Sequence, residues 1–323
     1  MIKALILPLG RRYMRLLHTD REHVGVAGRW IRALLMIVPF FAVAFPLWIR
    51  AALWGPLVVE TTTEDGIRIR CRLQDGLQIY IYLFGTAWEP DLAAFLRRRL
   101  RPGDTFVDVG AHIGCVAALT SRLVGPRGTV VAIEPCPVVI PWLRETVARN
   151  ELTNVRMVDA AVSDRDHELP LFLGPNWNLG ETSTVARPKL REEGRVRAAP
   201  LASLLTREEL MSARMIKIDV EGGEDRVLAG VSAFVDVLAA DAELVVELSP
   251  SWWSDPNLRP IDVLQPFLDR GFHVYLLPND YLPWRYLWPK DVGAPRRLHD
   301  LTELERRVFR LDIVLSRIDA DTL

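Results

Sequence analysis

Cysteine is scarce in this chain: three residues in 323, Cys71, Cys115 and Cys136, with no CxxC pair among them. An odd, scattered set cannot all be bridged, which excludes a disulfide framework, argues against structural zinc and fits a reducing compartment. The six histidines show no HExxH spacing, so the zinc-protease arrangement is absent as well. Excess charge is also missing: 40 basic residues stand against 41 acidic ones, a formal net charge of −1. No global basic field draws such a chain onto nucleic acid. No internal repeat or low-complexity tract is visible, which excludes a solenoid or a disordered linker protein. What is present is apolar material, half of the residues, in a chain long enough for one large domain or two small ones with ample core for an enzyme.

One apolar run stands apart. Residues 33–49, ALLMIVPFFAVAFPLWI, carry no charge and lie between Arg32 and Arg50, at the bottom of the length that spans a bilayer. Pro39 and Pro46 each interrupt a helix there. Upstream basic residues (Lys3, Arg11, Arg12, Arg15, Arg21, Arg29, Arg32) keep the N-terminal flank cytoplasmic by the positive-inside rule. A single span would export everything after Arg50. The expectation is therefore an interfacial or re-entrant hairpin bent near the two prolines, with residues 33–57 on the cytoplasmic face of a membrane and the remaining chain in the cytoplasm. Burial of the segment against protein is the competing reading.

Three regions follow: a basic and apolar segment over 1–60, a β-hairpin and helix over 61–100, and the main domain over 101–323. From Thr61 to Tyr82, TTTEDGIRIRCRLQDGLQIYIY alternates apolar and polar residues around two DG turns, the pattern of a hairpin or short meander. WEPDLAAFLRRRLRPGD then places Leu92, Phe95, Leu96 and Leu100 on one helical face and stops at Pro102 and Gly103. After Asp104 strands and helices alternate: TFVDVG, a helix from about 113 to 124, TVVAIE, a helix from about 138 to 150, and VRMVDAAV. This βαβαβ order predicts an α/β fold with an open, mostly parallel sheet and helices on both faces. MIKIDV (215–220) and ELVVEL (243–248), with little alternation, read as strands buried on both sides. HVYLLP (273–278) and LDIVLSRI (311–318) are candidates to close the edge.

TFVDVGAHIG carries a strand into a glycine turn and then a helix, so a strand end and a helix N-terminus face a ligand. Dinucleotides are the common occupants, but their fingerprint needs a second glycine beside the pyrophosphate, and His112 stands there. S-adenosylmethionine has no phosphate and asks for less. Gly110 lets the backbone approach its methionine portion, Asp108 offsets its positive charge, and the helix start near Gly114 favours its carboxylate. Glu134 ends the second strand at the interval expected of an acid that accepts from ribose hydroxyls. Asp159 ends the third, placed for the adenine amino group.

DVGAHIG, AIEP, NVRMVDAAVSD, IKIDVEGGEDRVLAG and VVELSP together resemble the successive motifs of the FkbM family of class I S-adenosylmethionine-dependent methyltransferases, over about residues 85–250. The resemblance implies a Rossmann-like sheet of seven strands, the last antiparallel. It also implies S-adenosylmethionine as cofactor and O-methylation of a hydroxyl on a sugar, polyketide or other secondary metabolite. Family members often carry Asn where His112 stands.

Methyl transfer is an in-line displacement at a sulfonium carbon, so positioning an acceptor hydroxyl is the main task, with a general base adding to it. The fourth strand exits beside the transferring methyl. This singles out Asp219 and Glu221 of DVEGGED, Lys217 two residues earlier on the same strand face, and Glu247 at the neighbouring strand end as catalytic candidates. Glu224 and Asp225 fit better as charges in a first helical turn. Asp219, Glu221 and Glu247 are hard oxygen ligands of the kind magnesium takes, but spacing alone assigns no metal. The turn-rich GPNWNLGETSTVA offers Asn178, Thr182 and Ser183 as contacts to a small-molecule or glycan acceptor. SWWSDPNLRP and DYLPWRYLWP concentrate Trp252, Trp253, Trp284 and Trp288 with Tyr281 and Tyr286, as core aromatics or as a lid. An NAD-linked oxidoreductase and a membrane-tethered, non-catalytic binding module are the rival readings. Oligomeric state is not written in the chain.

Overall fold

The computed structural model describes residues 7–19, 26–76, 78–86, 89–279, 293–305 and 310–323; Tyr281, Trp284, Tyr286 and Trp288 lie outside them. The chain divides into two compact units, one of Met1–Pro90 with Asn176–Asn178 and Asp280–Val292, the other of Asp91–Pro175, Leu179–Asn279 and Gly293–Leu323.

The first unit contains helices α1 (Leu7–Thr19) and α2 (Val26–Trp54), strands β1 (Val58–Thr62) and β2 (Arg68–Arg72), and helix α3 (Gln78–Phe84). The apolar run is not a hairpin. α2 continues through both Pro39 and Pro46, although each removes one backbone donor and crowds the preceding turn. Packing explains the continuity: Met36, Phe40, Ala44 and Leu47 are buried at helical spacing on one stripe that crosses both prolines in register, and the Phe40 ring stacks on Tyr80, centroids 5.1 Å apart. Among the described residues no helix is long and apolar enough to cross a membrane. The opposite stripe of α2 stays open: Ile31, Leu34, Val38, Phe41, Phe45 and Trp48 are all exposed.

β1 and β2 pair antiparallel, Thr62 opposite Arg68, as the first DG turn requires. The second half of the expected meander differs, because QIYIYLF is helix α3 rather than a strand, with six of its seven residues buried. Burial on nearly all sides means that the Ile/Tyr alternation marks no polar face. Asp75 starts the helix by accepting from the Gln78 backbone N–H at 3.2 Å, an N-cap contact.

The second unit begins with helix α4 (Pro90–Arg99) and then builds its main sheet from β3 (Thr105–Val109), β4 (Thr129–Ile133) and β5 (Val155–Val158). Helices α5 (Cys115–Val124) and α6 (Ile140–Arg149) are the crossovers between these strands. A smaller sheet of β6 (Ala161–Val162), β7 (His167–Leu173) and β8 (Arg191–Ala199) follows, with short helices α7 (Leu201–Leu204) and α8 (Arg207–Ser212). The chain re-enters the main sheet through β9 (Ala213–Ile218), helix α9 (Glu224–Ser232), β10 (Glu243–Leu248), helix α10 (Pro260–Leu268), β11 (His273–Leu276), β12 (Arg296–Arg297) and β13 (Leu311–Ser316).

Among the described residues the main sheet has eight strands in the order β12-β11-β13-β10-β9-β3-β4-β5. β5, β4, β3, β9 and β10 are parallel. β13, the last strand of the chain, runs antiparallel between β10 and β11. The expected class I arrangement is thus present, with the two-residue β12 added at the edge. Every residue of β3, β10 and β13 is buried, which accounts for their unbroken apolar character. The order reverses at β3, where β4 lies on one side and β9 on the other. Open α/β sheets bind ligands at such a switch point.

Candidate functional site

At the C-terminal end of β3 the chain turns through Gly110, His112 and Gly114, all with left-handed φ of 84°, 49° and 85°. A Cβ on Gly110 would lie 1.8 Å from the carbonyl oxygen of Asp219, so the turn passes against the end of β9 closely enough to exclude any side chain. At Gly114, the residue before α5, a Cβ would meet Leu143 Cδ1 at 2.7 Å, which lets α5 start close to α6. His112 is one of the few side-chain types that tolerate its φ, so the absence of a second glycine leaves the turn intact.

Glu134, one residue beyond β4, is bound to that turn. Its carboxylate accepts from the His112 N–H at 2.9 Å and from the Cys136 N–H at 2.9 Å. Burial pushes its acid up to about 7 even though both N–H groups favour the charged form. Asp108, inside β3, is fully buried, with Lys217 Nζ 3.8 Å from Oδ1. Burial raises it to about 6 against the pull of Lys217. Asp159 stands apart from this buried group: it pairs with Arg144 at 2.5 Å and its side chain is 45% exposed.

The catalytic candidates do converge. One oxygen from each of Asp219, Glu221 and Glu247 lies within 4.8 Å of the others. Lys217 reaches Asp219 at 2.9 Å. Burial alone would raise Asp219, but the charge and hydrogen bond of Lys217, with Arg310 beyond, hold it below its ordinary value. Glu221 is pushed to about 7 by burial, with Arg310 opposing, and Glu247 is raised well above the usual range by burial and by Asp219. Three groups that look alike in sequence are therefore split into one stable carboxylate, Asp219, and two whose proton affinity is raised, Glu221 to about 7 and Glu247 well above the usual carboxylate range.

Two arginines complete the cluster, and neither was signalled by a motif. Arg310, the residue before β13, donates from Nη2 to Glu221 at 2.7 Å and forms an ion pair with Glu247, Nε 2.8 Å from Oε1. Arg187 lies 3.7 Å from Glu221 and stacks over Trp252, 3.8 Å from the ring centroid. Glu221 itself sits at φ 56°, uncommon for a residue with a side chain, and its carbonyl accepts from Ser183 Oγ at 2.6 Å. Ser183, expected at an acceptor, is buried and makes this structural contact. Thr182 caps its own turn, donating to the Leu179 carbonyl at 2.7 Å and accepting from the Gly174 N–H at 3.1 Å. Asn178 belongs to the first unit.

Glu224 is more than a charged helix start. It is fully buried and accepts from the Gly222 N–H at 2.6 Å and from the Trp253 indole at 2.8 Å. Trp253 is accordingly a core aromatic, whereas Trp252 is half-buried under the arginines.

Comparison with known proteins finds relatives of this chain among methyltransferases. The profile of the methyltransferase FkbM domain matches residues 108–274, just over half of the chain. The 31-O-demethyl-FK506 methyltransferase FkbM of Streptomyces tacrolimicus is 31% identical over 160 residues, 41% of this chain and 61% of that protein. A probable cobalt-precorrin-6B C(15)-methyltransferase (decarboxylating) of Sulfolobus acidocaldarius is 28% identical over 116 residues, 34% of this chain and 60% of the relative. The chain spans about three fifths of the length of these curated relatives. Among solved structures, methyltransferase FkbM from Methylobacillus flagellatus KT aligns at 13% identity with a TM-score of 0.39, over 86% of this chain and 60% of that one.

Proposed function

Because the chain belongs to the methyltransferase FkbM domain family, we propose that it transfers the methyl group of S-adenosylmethionine to a hydroxyl of a sugar, polyketide or other secondary metabolite. The observation that carries this reading is the bond from the His112 N–H to Glu134. It joins the glycine turn and the acid assigned to the ribose into one rigid edge; the side-chain face of Gly110 is closed by the Asp219 carbonyl, so the methionine portion is assigned to the remaining backbone of the turn, towards the start of α5. When bound, S-adenosylmethionine supplies a methyl carbon on a sulfonium, already a good leaving group. The chain's own groups then orient the acceptor. Asp219, held ionised by Lys217, accepts the hydrogen of the acceptor hydroxyl and fixes its line of approach. Asp219 is then also the group that takes this proton as the oxygen–carbon bond forms, a contribution of about 100- to 10,000-fold for a general base, while Glu221, raised to about 7, stands beside it as the neighbouring proton acceptor of the cluster. Asp108 opposes the positive charge of the methionine portion, and Asp159 is assigned to the adenine amino group. An NAD-linked reaction fits less well, since the side chain at 112 stands where a diphosphate needs bare backbone.

Calorimetric titration of the chain with S-adenosylhomocysteine tests the reading. Saturable binding that weakens at least tenfold in Glu134→Ala supports it. Absence of binding, or tighter binding of NAD, overturns it.

For the first unit we propose contact with an anionic membrane surface on its cytoplasmic side. The open stripe of α2 runs at three- and four-residue spacing from Ile31 to Trp48. Residues 1–56 carry eight Lys or Arg against only Asp20 and Glu22. An apolar helix face within a basic segment is the composition of an interfacial helix. Flotation with vesicles containing phosphatidylglycerol, lost in Val38→Glu/Phe45→Glu, is the expected result. Equal sedimentation of both forms away from the vesicles rejects the contact.

A further inference from the structure

Three carboxylates that close together are a common ligand set for a hard divalent cation. Here a basic side chain already occupies each of them. Lys217 holds Asp219 at 2.9 Å, Arg310 holds Glu221 at 2.7 Å and Glu247 at 2.8 Å, and Arg187 lies 3.7 Å from Glu221. We propose that Arg310 is the resident cation of this site, occupying the position a divalent metal ion would take among Asp219, Glu221 and Glu247, so that the chain positions its carboxylates without a metal.

The fork of the guanidinium suits this task. Its Nε and Nη2 are rigidly related, so one planar cation sits against two carboxylates at once, hydrogen-bonded to Glu221 and ion-paired with Glu247. Its charge is permanent and cannot be diluted or chelated away. The fold also fixes where it enters. Arg310 precedes β13, whose antiparallel register sets Leu311 beside Leu248 and Asp312 beside Glu247. The guanidinium therefore arrives with the sheet itself rather than on a separate loop. A metal ion placed among the same oxygens would have to displace Arg310 from two partners at once and leave its charge half-buried next to Arg187. Two like charges that share Glu221 as their partner repel strongly where water is largely excluded.

This inference rests on the methyl-transfer reading only for what the carboxylates do; its test does not. Chelator-stripped protein is titrated with Mn²⁺ and free Mn²⁺ is followed by electron paramagnetic resonance. The wild-type chain is expected to leave the free Mn²⁺ signal unchanged. Arg310→Ala is expected to take up one Mn²⁺ at least tenfold more tightly than wild type, and Arg310→Ala/Glu247→Gln to lose that site again. Arg310→Lys, which keeps a cation, is expected to exclude Mn²⁺. Stoichiometric uptake by the wild-type chain that disappears in Glu247→Gln overturns the proposal, as does an Arg310→Ala variant that is folded by circular dichroism and gains no Mn²⁺. Should Arg310→Ala fail to fold, the wild-type and Glu247→Gln titrations decide alone. S-adenosylhomocysteine binding measured on the same samples reports separately on the cofactor reading.

Discussion

A methyl group on Gly110 would sit 1.8 Å from the carbonyl oxygen of Asp219. The end of β3 and the end of β9 thus touch through bare backbone, and the acid proposed to orient the acceptor is placed by a residue with no side chain. Gly110→Ala is expected to abolish S-adenosylhomocysteine binding and to destabilise the fold by more than about 3 kcal/mol, from strain at a left-handed φ plus the collision. Gly103→Ala is the control: φ is 99° with nothing within 4 Å of the added carbon, so a loss of about 1–3 kcal/mol from strain alone and unchanged binding are expected. Urea unfolding and calorimetry measure both. Unimpaired binding by Gly110→Ala would remove the close approach from the argument.

Lys217 is buried between Asp219 and Asp108. Lys217→Met removes the cation and leaves two carboxylates facing each other, a change that costs about 3–5 kcal/mol for a fully buried pair and less here because Asp219 is partly open. Both acids can escape the repulsion by protonation. The loss measured by urea unfolding is therefore expected to be larger at pH 8 than at pH 5, and an equal loss at the two pH values would show that packing, not charge, is what Lys217 supplies.

Stability is expected to fall as pH rises from about 5 to 8. Burial lifts Glu134 and Glu224 from 4.5 to about 7 and Asp108 from 3.8 to about 6. Over that interval the native chain keeps protons that the unfolded chain has released, so the stabilisation is complete at acid pH and drains away as these groups ionise. Asp219, lowered by Lys217, works in the other direction: its stabilisation is fully present above its ordinary range and is lost only as pH falls through its folded value, outside this interval. Glu134→Gln removes one of the retained protons and should make the decline shallower by up to about 1.4 kcal/mol per pH unit. A rising profile between pH 5 and 8 would contradict the burial of these acids.

Trp253→Phe deletes the indole donor to Glu224 while keeping most of the aromatic volume. A buried acceptor that loses one partner costs about 1–3 kcal/mol, and the expected cost grows above pH 7, where Glu224 is charged. Thermal melts at pH 6 and pH 8 distinguish this from a packing defect, which would be the same at both.

The main sheet was legible because β3, β4, β9 and β10 are buried on both faces and so appear as short unbroken apolar runs between turn signals. The βαβαβ order then gave the direction of the strands, and the ends of those strands gave Asp108, Glu134, Asp219 and Glu247. Other elements left no such trace. β8 reads REEGRVRAA and exposes most of its length, so neither hydrophobic period nor apolar run marked it. α3 was misread because burial on nearly every side erases the difference between periods of two and 3.6 residues, although the DGLQ start held a cap signal at Asp75. The prolines of α2 pointed to a bend that tertiary packing overrides. Arg187 and Arg310 reach Glu221 from 34 residues before it and 89 residues after it, and no local pattern carries a pairing of that span. Glu224 kept its place at a helix start, but its partner Trp253 lies 29 residues away.

The placement of β13 between β10 and β11 bears on how the chain is made. Until β13 docks, β10 and β11 each present a bare edge that has no correct partner, and exposed edges invite pairing with other chains. Completion of the sheet and arrival of the guanidinium at Glu221 and Glu247 are then one event. Before residue 310 joins the fold, Glu247 lacks the cation that pairs with it and Glu221 keeps only Arg187, so the charge balance of the cluster depends on β13 having docked.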